Sequence, residues 1–223
     1  MTTIPKTRNS QKERRVLTLN EQEILLKYSK GALRDLVEVS LSTGMRTGEI
    51  RALEWSDIDF ENKVIHITGT LAELGGKVFK ETPKTKTSAR DIPMLENVEK
   101  IFMRIKEEQE IKKAKLGDKY QSKEGLENLI FRSRRGTPVS NSCYVRMINR
   151  TVDKINNDGI EFEHVHPHTL RHTFATRCIE SGIPPQVLKT ILGHSSLAMT
   201  MDPVFQIGKN CVTPEVTAAV SEA

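Results

Sequence analysis

The chain has 223 residues, 37% of them hydrophobic and 28% charged, so it is long enough to bury one large core or two small ones. Its apolar stretches all fall short of the roughly 18 residues of a membrane span, and its polar, basic N-terminus lacks the apolar segment of a secretory signal. The formal net charge of +5 is compatible with nucleic acid as a partner but does not require one.

The first quarter of the chain predicts three helices. Thr18 and Glu21 have the spacing of a capping box, which predicts a first helix that runs up to Gly31. A second helix is expected over residues 32–42, where apolar residues recur at helical spacing. Residues 43–48 interrupt the pattern, and a third, short helix follows them.

The next segment predicts a small sheet. Residues 57–60 lead into a turn, and residues 64–68, 77–80 and 90–94 have the composition of strands. We expect the last three of these segments to form a three-stranded antiparallel sheet. The sheet would lie at one edge of an α+β fold that is mostly α.

The remainder of the chain predicts helices. A charged helix begins near residue 97, and its opposite charges at i,i+4 spacing indicate a solvated outer face. Another helix is expected over residues 141–156. A last pair spans residues 167–181 and 185–192, with Gly193 where a left-handed C-cap is favoured.

The segment richest in candidate chemistry carries four of the six histidines, between residues 164 and 172. His168 and His172 have the i,i+4 spacing of zinc ligands, but no glutamate stands between them and Arg171 would repel a cation. The histidines could instead cap and pack a helix. In a third interpretation Arg171 binds a phosphate through its planar fork, and a neighbouring imidazole moves protons near neutral pH.

Four segments together resemble the boxes of the tyrosine recombinase, or phage integrase, family. Residues 168–172 (HTLRH) are similar to its HxLRH box, and residues 192–195 (LGHS) to its LGHS box. Residues 43–50 (TGMRTGEI) resemble its first box, and residues 83–93 (PKTKTSARDIP) the β-hairpin that carries its catalytic lysine. The four occur in the family's order, with family-like spacing. The resemblance implies the family's catalytic-domain fold and a role in site-specific recombination or integration of DNA.

The resemblance implies catalytic roles for five residues. Arg46 and Arg171 would clamp the scissile DNA phosphate, and Lys84 would protonate the leaving 5′-oxygen. His168 would assist as acid or base, and His194 would hydrogen-bond the phosphate.

Two further basic residues complete the implied site. Lys86 and Arg90 would contact DNA, and Lys86 is the less favoured alternative to Lys84 as general acid. The resemblance implies no metal and no nucleotide cofactor, because the family keeps the bond energy in a covalent 3′-phosphotyrosine.

The sequence departs from the family pattern at the position of the nucleophile. Where the family has its tyrosine, shortly after His194, this sequence has Val204, followed by Phe205. The tyrosines of the chain are Tyr28, Tyr120 and Tyr144. As it stands the chain is therefore expected to lack the covalent step. An alternative interpretation is a non-catalytic DNA-binding remnant that modulates an intact recombinase.

The resemblance also suggests how the chain is organised. We expect a basic tail over residues 1–15, a catalytic domain over residues 16–202 and a divergent tail over residues 203–223. Double-stranded DNA is the expected partner, bound weakly and with strong salt dependence because the family's helical core-binding domain is not seen before residue 16. Family members form homo-tetramers on DNA, and this chain alone is expected to be monomeric. Three widely spaced cysteines argue against a disulfide framework and favour the cytoplasm.

Overall fold

The computed structural model describes residues 15–82, 89–194, 196, 197 and 200, and it is mostly helical. The helices are α1 (Leu19–Tyr28), α2 (Ala32–Thr43), α3 (Thr47–Ala52), α4 (Glu96–Leu116), α5 (Asn141–Asn157), α6 (Pro167–Glu180) and α7 (Pro185–Leu192). The strands are β1 (Ile58–Asp59), β2 (Val64–Ile67), β3 (Thr70–Leu74), β4 (Lys77–Glu81) and β5 (Arg90–Pro93). The predicted α+β fold, mostly α, is confirmed.

Helix α2 is the centre of the helical layer. It packs against α1, α3, α4, α5 and α6. The capping box predicted before α1 is present, since the Thr18 hydroxyl accepts from the Glu21 amide and the Glu21 carboxylate accepts from the Thr18 amide. Helix α2 ends at Gly44, whose φ of 63° lies in the left-handed region that favours glycine. This end of α2 points the chain directly into α3.

The three-stranded antiparallel sheet differs from the prediction in its membership. Its order is β1-β2-β5, with Ile65 of β2 opposite Ile92 of β5. Strand β4 does not join it but pairs with β3, a strand that the sequence analysis did not predict. The reason is the turn at Gly75 and Gly76, whose φ values of 56° and 74° suit a two-residue hairpin. That turn folds β4 directly back onto β3.

The main core lies between the helices and the three-stranded sheet, and a second apolar cluster lies between α6 and α7. The second cluster contains Ala175, Cys178, Leu188 and Leu192. It fixes α7 against α6, and α7 in turn contacts β5. Within the part of the chain that the structure describes, every helix is too short or too polar to cross a membrane.

Candidate functional site

The C-terminal end of α7 binds three arginines from three other elements. The helix ends at Gly193, which is left-handed with a φ of 63° and so forms the predicted C-cap. The carbonyl groups of residues 191–193 have no partner within the helix. They accept in turn from Arg90 Nε at 2.6 Å, Arg171 Nη2 at 2.7 Å and Arg46 Nη2 at 2.9 Å. Positive charge is favoured here because the C-terminal end of a helix carries partial negative charge.

Two of these arginines also meet at the end of α2. Arg171, from α6, is only 6% exposed, and its Nη1 donates to the Gly44 carbonyl at 2.7 Å. Arg46 lies two residues after Gly44, at the start of α3, with 35% of its side chain exposed. Burial, and then repulsion from Arg46, lowers the pKa of Arg171 to about 9, so the group keeps its charge at neutral pH. The two arginines that the sequence analysis assigned to one phosphate are thus held at the same pair of helix ends.

Glu49 connects two of the arginines. Its carboxylate is 6% exposed and accepts four hydrogen bonds. Arg46 donates its amide and its Nη1, both at 2.8 Å, and Arg90 donates Nη1 at 2.9 Å and Nη2 at 2.8 Å. Burial opposes ionisation of Glu49, but these donors hold its pKa below the ordinary value. The sequence analysis gave Glu49 no role, although its position in the first turn of α3 was the available signal.

Arg90 lies deeper than the sequence analysis expected for a residue that contacts DNA. Its side chain on β5 is 4% exposed. Its guanidinium faces both carboxylate oxygens of Glu49 and the Ile191 carbonyl. These contacts hold Glu49, which in turn holds Arg46.

Two histidines border the arginines. His168 is exposed in the first turn of α6, and partial burial together with the positive charges of Arg171 and Arg46 lowers its pKa. Burial, followed by repulsion from the same two arginines, lowers the pKa of His194 to about 4. His194 is therefore neutral at pH 7, and its Nδ1 lies 3.0 Å from the hydroxyl of Thr200.

Four predicted positions lie outside the described residues: Lys84, Lys86, Val204 and Phe205. His172, the second half of the predicted zinc spacing, is half-buried one turn after His168. Over residues 15–82, 89–194, 196, 197 and 200, His, Cys, Asp and Glu side chains nowhere gather in threes that could hold a metal ion.

Each tyrosine of the chain is engaged by other residues. Tyr144 is fully buried with its hydroxyl 3.3 Å from that of Ser40, and burial raises its pKa. A hydrogen bond with Asp158 raises the pKa of Tyr28 at the end of α1. The ring of Tyr120 packs against Gly136 and lies 5.9 Å from the guanidinium carbon of Arg132.

Comparisons with known proteins extend over nearly all of the described chain. A family model described as the phage integrase family matches residues 15–202. The transposase from transposon Tn916 of Enterococcus faecalis is 33% identical over 209 residues, which cover 90% of this chain and 48% of that protein. A XerC-like tyrosine recombinase of Caldanaerobacter subterraneus is 27% identical over 209 residues, which cover 88% of this chain and 52% of the relative. The chain thus spans about half the length of these curated relatives.

Among solved structures, the Tn1549 transposon integrase in complex with transposon right end DNA superimposes with a TM-score of 0.79 and 28% sequence identity. The match covers 96% of this chain and 68% of that one.

Proposed function

The chain belongs to the phage integrase family, and from this premise we propose that it binds duplex DNA and clamps one phosphodiester between Arg46 and Arg171. One observation carries the proposal. Two arginines from distant parts of the sequence are fixed on carbonyl groups at the ends of α2 and α7 by hydrogen bonds within the protein. Donors that are aligned in advance need no reorganisation when negative charge develops on a phosphate.

The hydrogen-bonding capacity of this pair leaves room for a ligand. A guanidinium has five N–H donors. The contacts to Gly44 and Leu192 occupy one donor on each terminal nitrogen of Arg171. Arg46 is the more exposed of the two and is bound to Glu49 and Gly193 through one N–H on each terminal nitrogen. The remaining donors suit the non-bridging oxygens of a phosphodiester, where charge accumulates during phosphoryl transfer.

The two histidines would complete the clamp. Neutral His194 offers a hydrogen bond without adding charge, and exposed His168 would act as the acid or base. Lys84 stays our proposal for the group that protonates the leaving 5′-oxygen. In this proposal the reaction is that of a site-specific recombinase of a mobile element, and the printed description of the Tn1549 integrase as a complex with transposon DNA supports duplex DNA as the partner.

A second candidate function follows from the nucleophile. Val204 and Phe205 stand where the family has its tyrosine, and the three tyrosines of this chain are engaged elsewhere. In this form of the proposal the chain occupies DNA and modulates an intact recombinase without cleaving a strand itself.

DNA binding tests the clamp. We expect Arg46→Gln to weaken binding to a fluorescent duplex at least tenfold in anisotropy titrations, because a charged hydrogen bond contributes about 1.5–3 kcal/mol. The slope of log affinity against log salt should fall by about one. The matched control is Arg34→Gln, which removes the same charge near the opposite end of α2, about 15 Å from Gly44 along the helix. If Arg46→Gln and Arg34→Gln lose the same amount of affinity, Arg46 contributes only the general attraction of a basic surface for DNA.

Covalent trapping tests the strand-cleavage step. Val204→Tyr and Phe205→Tyr are incubated with a nicked suicide duplex and with a core-binding domain from a relative, supplied separately. We expect an adduct from one variant and none from the unmodified chain. The absence of an adduct from both variants would contradict a cleavage site beside Arg46 and Arg171, and an adduct from the unmodified chain would exclude the non-catalytic candidate.

A further inference from the structure

We propose that Thr200 is a positioning residue whose hydroxyl fixes His194 as the tautomer that carries its proton on Nε2. The structural part of this inference concerns the free protein. Only its purpose rests on the proposed function, because that proton would be the one donated to a phosphate oxygen.

The geometry of the contact points to the direction of the hydrogen bond. Thr200 is fully buried, and its Oγ1 lies 3.0 Å from His194 Nδ1. Among the described residues, Nδ1 is the one hydrogen-bond partner found for this hydroxyl. A buried hydroxyl that donates to nothing is unfavourable. Thr200 therefore donates to Nδ1, which makes Nδ1 the acceptor and leaves the ring proton on Nε2.

The charge state of His194 makes the tautomer matter. The neutral imidazole has a single ring proton, and burial beside Arg171 and Arg46 keeps the ring neutral at pH 7. The main chain of His194 is itself held, since its amide donates to the Lys189 carbonyl at 3.1 Å. With Nδ1 facing Thr200, Nε2 is the nitrogen left for a ligand.

The opposite tautomer would work against anion binding. It would present the lone pair of Nε2 to a phosphate oxygen, and two lone pairs repel. Thr200 opposes this tautomer by donating to Nδ1, so its removal should move the proton towards Nδ1.

Nitrogen NMR of the histidine rings measures the tautomer directly. The unmodified chain, labelled with ¹⁵N and free of DNA, is compared with Thr200→Val, Thr200→Ser and His194→Gln at pH 7. The His194→Gln spectrum assigns the His194 signals among the six histidines. We expect Nε2–H to dominate in the unmodified chain. The ratio of Nε2–H to Nδ1–H should fall at least tenfold in Thr200→Val and stay within twofold in Thr200→Ser, which keeps the hydroxyl.

Two results would overturn the assignment: a predominantly Nδ1-protonated His194 in the unmodified chain, or an unchanged ratio in Thr200→Val. The first needs no change at Thr200, so the proposal stays testable even if Thr200→Val does not fold. A general loss of packing would broaden all histidine signals instead of moving one proton.

Binding to the fluorescent duplex separates this inference from the proposed function. We expect Thr200→Val to weaken binding several-fold and Thr200→Ser to preserve it. An unmodified chain with the Nε2–H tautomer but without affinity for DNA would refute the proposed function and leave the tautomer assignment standing. If the unmodified chain binds DNA while His194 carries its proton on Nδ1, the tautomer assignment is refuted and the proposed function stands.

Discussion

The end of α7 and the outer face of α4 are both rich in charged pairs, but the surroundings of those pairs differ. On α4, Lys100 pairs with Glu96 while their side chains are 71% and 78% exposed. Near α7, Arg90 pairs with Glu49 while their side chains are 4% and 6% exposed. An exposed pair is screened by water and contributes little to stability. A buried carboxylate depends on its partners, because an unpaired buried charge is costly.

The two regions also differ in their balance of charge. Along α4, acidic residues alternate with basic ones and neutralise them, as in the pairing of Glu108 with both Arg104 and Lys112. At the end of α7, Arg46 and Arg90 share the carboxylate of Glu49, and within the described part of the chain the three arginines each donate to one carbonyl of residues 191–193. The charges on the outer face of α4 therefore balance one another in solvent. The end of α7 instead holds an excess of positive charge in fixed positions. Such an excess suits an anionic ligand.

The largest effect is expected from removing the buried carboxylate. Glu49→Gln removes the buried carboxylate that pairs with Arg90 and Arg46, so the free energy of unfolding should fall by about 3–5 kcal/mol. Urea denaturation at pH 7 measures it. The control is Glu108→Gln on α4, which breaks two exposed pairs and should cost less than about 1 kcal/mol. If Glu49→Gln and Glu108→Gln lose similar amounts of unfolding free energy, the buried pairs near α7 stabilise the fold no more than the exposed pairs on α4.

A smaller effect is expected from crowding the end of α2. Gly44 and Gly159 both cap a helix, α2 and α5, with left-handed φ values of 63° and 84°, so alanine at either position costs about 1–2 kcal/mol of backbone strain. At Gly44 the new Cβ would also meet Phe174 Cδ1 at 2.2 Å and Leu192 Cδ2 at 2.9 Å, whereas at Gly159 nothing lies within 4 Å. Overpacking should therefore add about 1–3 kcal/mol in Gly44→Ala.

Thermal and urea denaturation of both glycine variants isolate the contribution of packing at the site. Gly44→Ala should in addition weaken DNA binding, because the Gly44 carbonyl is an acceptor for Arg171. Gly159→Ala should bind DNA as the unmodified chain does. An equal loss of stability and unchanged binding in both variants would mean that the end of α2 adapts without disturbing the arginines.

Local patterns predicted the helices well, and long-range pairing limited the prediction of the sheet. The capping box at Thr18 and the left-handed cap at Gly193 act within one helical turn, so the sequence displays them directly. Sheet membership depends on which strands meet. Strand composition alone could not tell that β4 would leave the main sheet, although Gly75-Gly76 was the signal of a hairpin.

In the candidate site, too, local motifs were predictable from the sequence and long-range contacts were not. Matching boxes identified Arg46, Arg171 and His194, which the structure holds at the ends of α2 and α7. The pairing of Arg90 with Glu49 joins residues 41 positions apart, and its burial is a property of the folded core. The sequence placed Arg90 beside a lysine-rich loop and so predicted contact with DNA, but it could not show that only 4% of this side chain is exposed.

The smallest expected effect is a pH dependence that originates at His194. Its pKa is about 4 in the folded chain, against about 6.5 in an unfolded one, so the unfolded state binds more protons between these values. Stability from the neutral ring is complete above about pH 6.5 and is lost as the pH falls towards 4. Between pH 7.5 and pH 5.0, the unmodified chain should therefore lose more stability than His194→Gln. Glu49, with its lowered pKa, stays ionised throughout that interval and does not contribute to the difference. Parallel stability profiles of the two proteins would show that neither burial nor the arginines at the end of α7 lower the pKa of this imidazole.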